Sequence, residues 1–143
     1  MSFELKIKNG DISLEGDGTV SIISGNEKIR QDIIKIILTK LGENRFHPNY
    51  GSNTGYLQIG QAIDQGVIEL DMQQSAESAI RYLIALQREQ SKKQLLSSSE
   101  VIVDVNFVKI ERNEIDPRLY NIYISVITQK LETITESVTI RII

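Results

Sequence analysis

The chain has 143 residues, 16 Lys and Arg against 19 Asp and Glu, a net charge of −3, one His and no Cys. That length suits one hydrophobic core, the missing cysteines exclude a disulfide framework, a thiolate metal site and a cysteine nucleophile, and interspersed charge leaves no basic field for nucleic acid. No run approaches the ~20 apolar residues that span a bilayer, and no basic flank precedes an apolar stretch at the start, so the reading is a soluble, non-secreted domain without a membrane partner.

Ile, Val and Thr make up 39 residues, 24 of them Ile. Branching at Cβ favours pleated, half-buried surfaces, so a substantial sheet is expected. Residues 1–23 read as a hairpin region. Leu5 to Lys8 alternates, Asn9-Gly10 is a strong turn dipeptide, Ile12 to Glu15 alternates again, and Gly16-Asp17-Gly18 turns the chain into Val20-Ser21-Ile22. Such a hairpin is marginal alone and must lie on a larger body.

A helical part spans 24–96. Ser24 with Glu27 fits a capping box, with Asn26 an equal candidate for the N-cap. Ile29, Ile33, Ile36 and Ile37 then form one stripe, and the helix is expected to stop at Gly42, after Leu41. Residues 42–60 read as a long Gly-rich loop whose aromatics, Phe46, Tyr50 and Tyr56, are expected to pack down. A second helix should begin between Gln61 and Gly66 and run to about Leu96. Its apolar face is Met72, Ala76, Ala79, Ile80, Leu83 and Leu86, and Gln87 to Gln94 forms a polar tail directed at solvent or another chain.

Residues 101–143 read as a three-stranded antiparallel meander. Val101, Val103, Val105 and Phe107 share a face of the first strand, and residues 111–117 form a charged turn. Tyr120, Ile122, Ile124 and Val126 share a face of the second. Ile134, Val138, Ile140 and Ile142 share a face of the third, opposite Thr133, Thr135, Ser137, Thr139 and Arg141. One sheet face must be covered by the helices, which makes the fold α+β: an N-terminal β-hairpin and two helices packed on a C-terminal three-stranded sheet, in one domain.

Chemistry-bearing patterns are sparse. Glu43 has Asp64 and Glu69 downstream, but nothing in the spacing brings two carboxyls to the separation a glycosidase needs. Glu43 is better read as hydrogen-bonding its own loop or Arg45. His47 lacks a nucleophile in reach, Gly16-Asp17-Gly18 lacks the Lys and Ser/Thr of a phosphate loop, and Lys92-Lys93 is too short for a nucleic-acid stripe. No catalytic residue, metal ligand or cofactor is assigned, and the expected function is not enzymatic. The last strand does exceed background, because it is long, β-branched and carries only Glu136 and Arg141 as charged guards. At a sheet edge it would accept a strand from another chain.

The stretch from Leu38 to Ser52 resembles the signature of the baseplate wedge, or sheath-initiator, family of contractile injection machines, found in contractile-tailed bacteriophages and type VI secretion systems. The matching elements are Leu38, Thr39, Gly42, Glu43, Pro48 and Gly51. One departure is the junction before the sheet, where many relatives carry Glu-Pro-Arg and this chain reads Ser97-Ser98-Ser99-Glu100-Val101. The resemblance implies a virion location at the tail baseplate, several copies in a ring, and contact with wedge and hub proteins, the tail tube and the tail sheath protein. It also implies a docking loop at Leu38 to Gly51, with Glu43 and Arg45 facing wedge proteins. The strand bearing Ile134, Glu136, Val138, Ile140, Arg141 and Ile142 would template the first sheath ring by strand addition, helped by burial of Ile134, Val138 and Ile140. Some relatives are labelled lysozyme-like, so the alternatives are a cell-wall hydrolase using Glu43 or a type VI secretion component.

Overall fold

The computed structural model describes residues 3–54 and 65–141. Gly55, Tyr56, Gly60, Asp64, Ile142 and Ile143 lie outside the described residues. In chain order the elements are β1 (Glu4–Leu5), β2 (Ile7–Lys8), β3 (Asp11–Ile12), β4 (Ile22–Ile23), α1 (Asn26–Leu38), α2 (Gln65–Ser91), β5 (Ile102–Arg112), β6 (Leu119–Thr128) and β7 (Thr133–Arg141). The architecture is α+β, with the sheet ordered β5-β6-β7 and both pairings antiparallel.

The N-terminal strands pair with one another, β1 with β4 and β2 with β3. Asn9 and Gly10 both take positive φ, 54° and 81°, the geometry whose twist matches a two-residue hairpin. The assembly rests on α1. The Gln31 side chain donates to the Leu5 carbonyl and accepts from the Ile7 N–H, and Lys35 pairs with Glu4. Leu5, Ile7, Ile12, Leu14, Val20 and Ile22 remain exposed on it.

Neither candidate caps α1. Gly25 is the N-cap, without a side-chain hydrogen bond, because the Asn26 amide is drawn away to Glu132 at 2.9 Å. The helix also stops earlier than Gly42. Thr39 turns extended, and its N–H and hydroxyl both donate to the Lys35 carbonyl. The predicted Ile stripe is fully buried.

The expected face of α2 is buried from Met72 through Leu83, with Ile84 added and Leu86 half-buried. The helix ends at Ser91, five residues short of the predicted end. Its polar tail is also not solvated all round. Gln87 is buried, donating to the Glu100 carbonyl at 3.1 Å and accepting from the Ile102 N–H at 2.8 Å. One side chain thus fastens the end of α2 to the start of the sheet.

In the sheet, α2 covers β5 and α1 covers β7. The β6 face is as predicted, with Tyr120, Ile122, Ile124 and Val126 buried. The β5 face is not. Register shifts between Ile102 and Asp104 and between Val105 and Phe107 each slip the alternation by one, so Ile102, Val105, Val108 and Ile110 turn to the core while Val103 and Phe107 are exposed. A one-residue slip sends every following side chain to the other face. The turn after β5 is also shorter than predicted, beginning at Asn113.

Candidate functional site

Two surfaces carry the predicted site residues: the loop after α1 and the outer edge of β7. The loop begins where Thr39 ends the helix. Its limbs are then joined side by side, the Ser52 N–H donating to the Thr39 carbonyl at 2.9 Å and the Leu41 N–H to the Ser52 carbonyl at 3.2 Å. Gly51 makes that approach possible. Its φ is 126°, and a Cβ there would lie 2.6 Å from the Thr39 carbonyl oxygen. Gly42, at φ 91°, turns the chain out again in open space.

The base of the loop is anchored by residues the sequence gave no reason to single out. Ser52 Oγ donates to the Ile37 carbonyl at 2.7 Å and sits 3.0 Å from Thr54 Oγ1, both side chains buried. The Asn53 N–H donates to Ser75 Oγ on α2. At the tip, Asn44 Oδ1 accepts from the N–H groups of Phe46 and His47 at 3.0 and 3.1 Å. Leu38, Gly42, Glu43, Arg45 and Pro48 are all exposed. Phe46 is not packed down as expected: it is 85 % exposed, on a turn fixed by Asn44. Tyr50 is half-buried against the core.

Beneath this loop, where β1 meets α1, lies a compact charge cluster. Glu4, Lys28, Asp32, Lys35 and Tyr50 share a cavity of about 310 Å3. Lys28 and Asp32 pair at 3.4 Å, and Lys35 bridges Asp32 and Glu4. Burial pushes the Asp32 carboxyl up to about 6; Lys28 pulls against this, while the Glu4 charge adds to it. Burial works the same way on Glu4, but the hydrogen bond and charge of Lys35 prevail and hold it below its usual range. Burial, then Asp32 and Glu4, push the Tyr50 hydroxyl up to about 12. The cluster fastens the N-terminal strands to the helix.

β7 is an outer strand of the sheet, and its pairing with β6 runs through nine residues without a register shift. Ile134, Val138 and Ile140 are 2 %, 6 % and 7 % exposed, packed into the chain's own core. Their burial therefore cannot drive association with another chain, contrary to the expectation above. Ile142 lies outside the described residues. What β7 does offer is backbone. The Thr128 N–H donates to the Glu132 carbonyl at the hairpin end. Antiparallel alternation then turns the main-chain groups of Thr133, Thr135, Ser137, Thr139 and Arg141 away from β6. The Thr135 carbonyl receives Arg30 Nη1 at 2.8 Å, and the Ser137 N–H donates to Glu136 Oε1 at 3.2 Å. The opposite edge, β5, is interrupted by two register shifts, irregularities of the kind that blunt an edge against pairing.

Among the described residues no group of three or more His, Asp or Glu could hold a metal ion, and no helix is long and apolar enough to cross a membrane. No family model matches the sequence, and no curated protein matches it. A solved structure does match: a protein from Geobacter sulfurreducens described as a "putative tail lysozyme". It has a TM-score of 0.60 and 13% identity, over 82% of this chain and 90% of that one. At that identity the likeness is one of fold.

Proposed function

We propose that this chain is a structural component of a contractile-tail baseplate, bound to wedge or hub proteins through the loop at Leu38 to Gly51, and that β7 templates the first ring of tail sheath by accepting a strand. The observation that carries this is the unbroken β7 ladder, whose outward main-chain groups face no strand of the chain itself among the described residues. Such a row of donors and acceptors is a template for another extended segment. The fold shared with a tail-associated protein and the loop signature support the same reading. The loop is rigid at its base and holds Phe46 out at its tip, the form of an aromatic anchor seated in a partner's pocket. Copies around a ring would multiply modest contacts into durable assembly by avidity.

Hydrolysis of cell wall is the competing reading, favoured by the name of the Geobacter protein. A general acid in such a site needs a sheltered, apolar setting, and Glu43 is exposed at a loop surface. A type VI secretion baseplate would use the same two surfaces. The test is Thr139→Pro, which deletes an outward N–H and is tolerated on an outer strand. Particles carrying it should form tubes lacking sheath; fully sheathed particles would overturn the templating reading. Cell-wall hydrolysis by purified protein that disappears in Glu43→Gln, with assembly intact, would establish the enzyme instead.

A further inference from the structure

The middle of the outer edge of β7 is occupied in the free chain, and what occupies it is a side-chain pair. Arg30 Nη1 takes the Thr135 carbonyl at 2.8 Å and lies 3.5 Å from Glu136 Oε2. The other carboxylate oxygen, Glu136 Oε1, takes the Ser137 N–H. Two adjacent outward groups in the middle of the strand are thus satisfied by one ion pair reaching across from α1. Among the described residues, nothing covers the remaining outward positions, Thr133, Thr139 and Arg141, in this way.

α1 runs beside β7 in the same direction, since Asn26 meets Glu132 and Arg30 meets Thr135 and Glu136. One and two turns beyond Arg30, Ile34 and Leu38 line a groove of about 630 Å3 under the N-terminal strands, with Ile7 and Ile23 on its far wall. Arg30 belongs to both features. It closes the β7 edge and forms part of the groove wall.

We propose that Arg30 and Glu136 form a releasable clip that guards the β7 edge until an extended segment of another chain, apolar at alternate positions, displaces it and lays its apolar side chains in the groove. This rests on the strand-addition reading above and adds its gate. The occupant must be an extended polypeptide, because only a backbone supplies N–H and C=O groups in the alternation that β7 presents. An N–H of the incoming strand takes the Thr135 carbonyl and one of its carbonyls takes the Ser137 N–H, so Arg30 and Glu136 are released to each other. The clip is easy to open. Arg30 is 46 % exposed, and ion pairs that accessible add little to stability. It suits a guard that suppresses accidental edge pairing and yields to a strand with a full set of main-chain bonds.

The experiment is sedimentation equilibrium of the purified full chain, with a second copy of the chain as the strand donor. Arg30→Ala, which removes an exposed side chain, is expected to self-associate at least tenfold more tightly than wild type. Glu136→Gln should do so to a lesser degree. The double change Arg30→Ala with Thr139→Pro should return association to the wild-type level. The gate is overturned if neither single variant associates more tightly, or if Thr139→Pro fails to reverse the gain, which would put the new contact elsewhere. Thr139→Pro in the particle reports on strand addition itself. Loss of sheath there, with unchanged association of Arg30→Ala, removes the clip while leaving the template standing.

Discussion

Gly51 and Gly42 sit in the same loop with positive φ, yet they are held by different forces. At Gly42 a methyl group meets open space, so Gly42→Ala costs only the left-handed backbone, about 1 kcal/mol. At Gly51 the methyl must also displace the Thr39 carbonyl and the chain at Lys40. Gly51→Ala is therefore expected to lower stability by roughly 2–4 kcal/mol, within the range of overpacking added to backbone strain. Urea unfolding of the two variants checks this, and equal losses would show that the limbs of the loop are not locked. Asp32 supports a second expectation, in pH. Its ordinary pKa is 3.8 and the folded chain holds it near 6, so between those values the folded state binds the extra proton. Its contribution to stability is fully present below 3.8 and is lost as pH rises through about 6. Glu4 acts oppositely, its contribution being lost only as pH falls through its lowered value. The stability of wild type relative to Asp32→Asn should then fall by on the order of 1–3 kcal/mol between about pH 4 and pH 7. A difference that does not change across that range would mean that Asp32 keeps its ordinary affinity for protons.

Elements differ in how well the sequence announces them, and the reason is continuity of pattern. β6 and β7 alternate without interruption, so their buried faces can be read directly from Tyr120 to Val126 and from Ile134 to Ile140. β5 has as many branched residues as β6, but two register shifts change its phase, and no Gly or Pro marks them. Asn26 looked like a cap because local chemistry favours it there, and a residue 106 positions away claimed its side chain instead. The signature loop was legible through Thr39, Gly42, Pro48 and Gly51, since turns and close approaches demand those residue types. Its anchors Ser52 and Thr54 were not, because buried hydroxyls have no sequence signal. Arg30 likewise looks like any solvated helical charge until the edge it covers is seen. Gln87 is the most consequential of these concealed residues. It joins α2 to β5 through two buried hydrogen bonds. Replacing it with Leu removes both bonds at once while nearly conserving volume. Each buried polar group deprived of a partner costs ~1–3 kcal/mol, so with two such groups Gln87→Leu should destabilise by about 2–6 kcal/mol. Hydrogen exchange should quicken first at Ile102. Unchanged exchange there would assign the junction to apolar packing alone.

For the molecule as a whole, the decisive point is that β7 serves the core and the proposed interface through alternate residues of one strand. Ile134, Val138 and Ile140 bury their side chains beneath the helices, and the residues between them turn their backbone outward. Burying three such side chains contributes roughly 5–9 kcal/mol, comparable with the entire stability of a typical domain. Removing residues 133–143 should therefore unfold the chain, visible as loss of the cooperative urea transition, and the loss of sheath in such a deletion would say nothing about templating. Thr139→Pro separates the two roles. It withdraws one outward N–H and the Thr139 hydroxyl bond to Asn121, leaves the three apolar side chains in place, and should shift the urea midpoint by no more than the equivalent of ~1 kcal/mol. A folded Thr139→Pro chain whose particles lack sheath would assign the defect to the edge itself. If instead that variant unfolds as the deletion does, the outer side of β7 is tied to the core, and it could not open to a partner strand without loss of the fold.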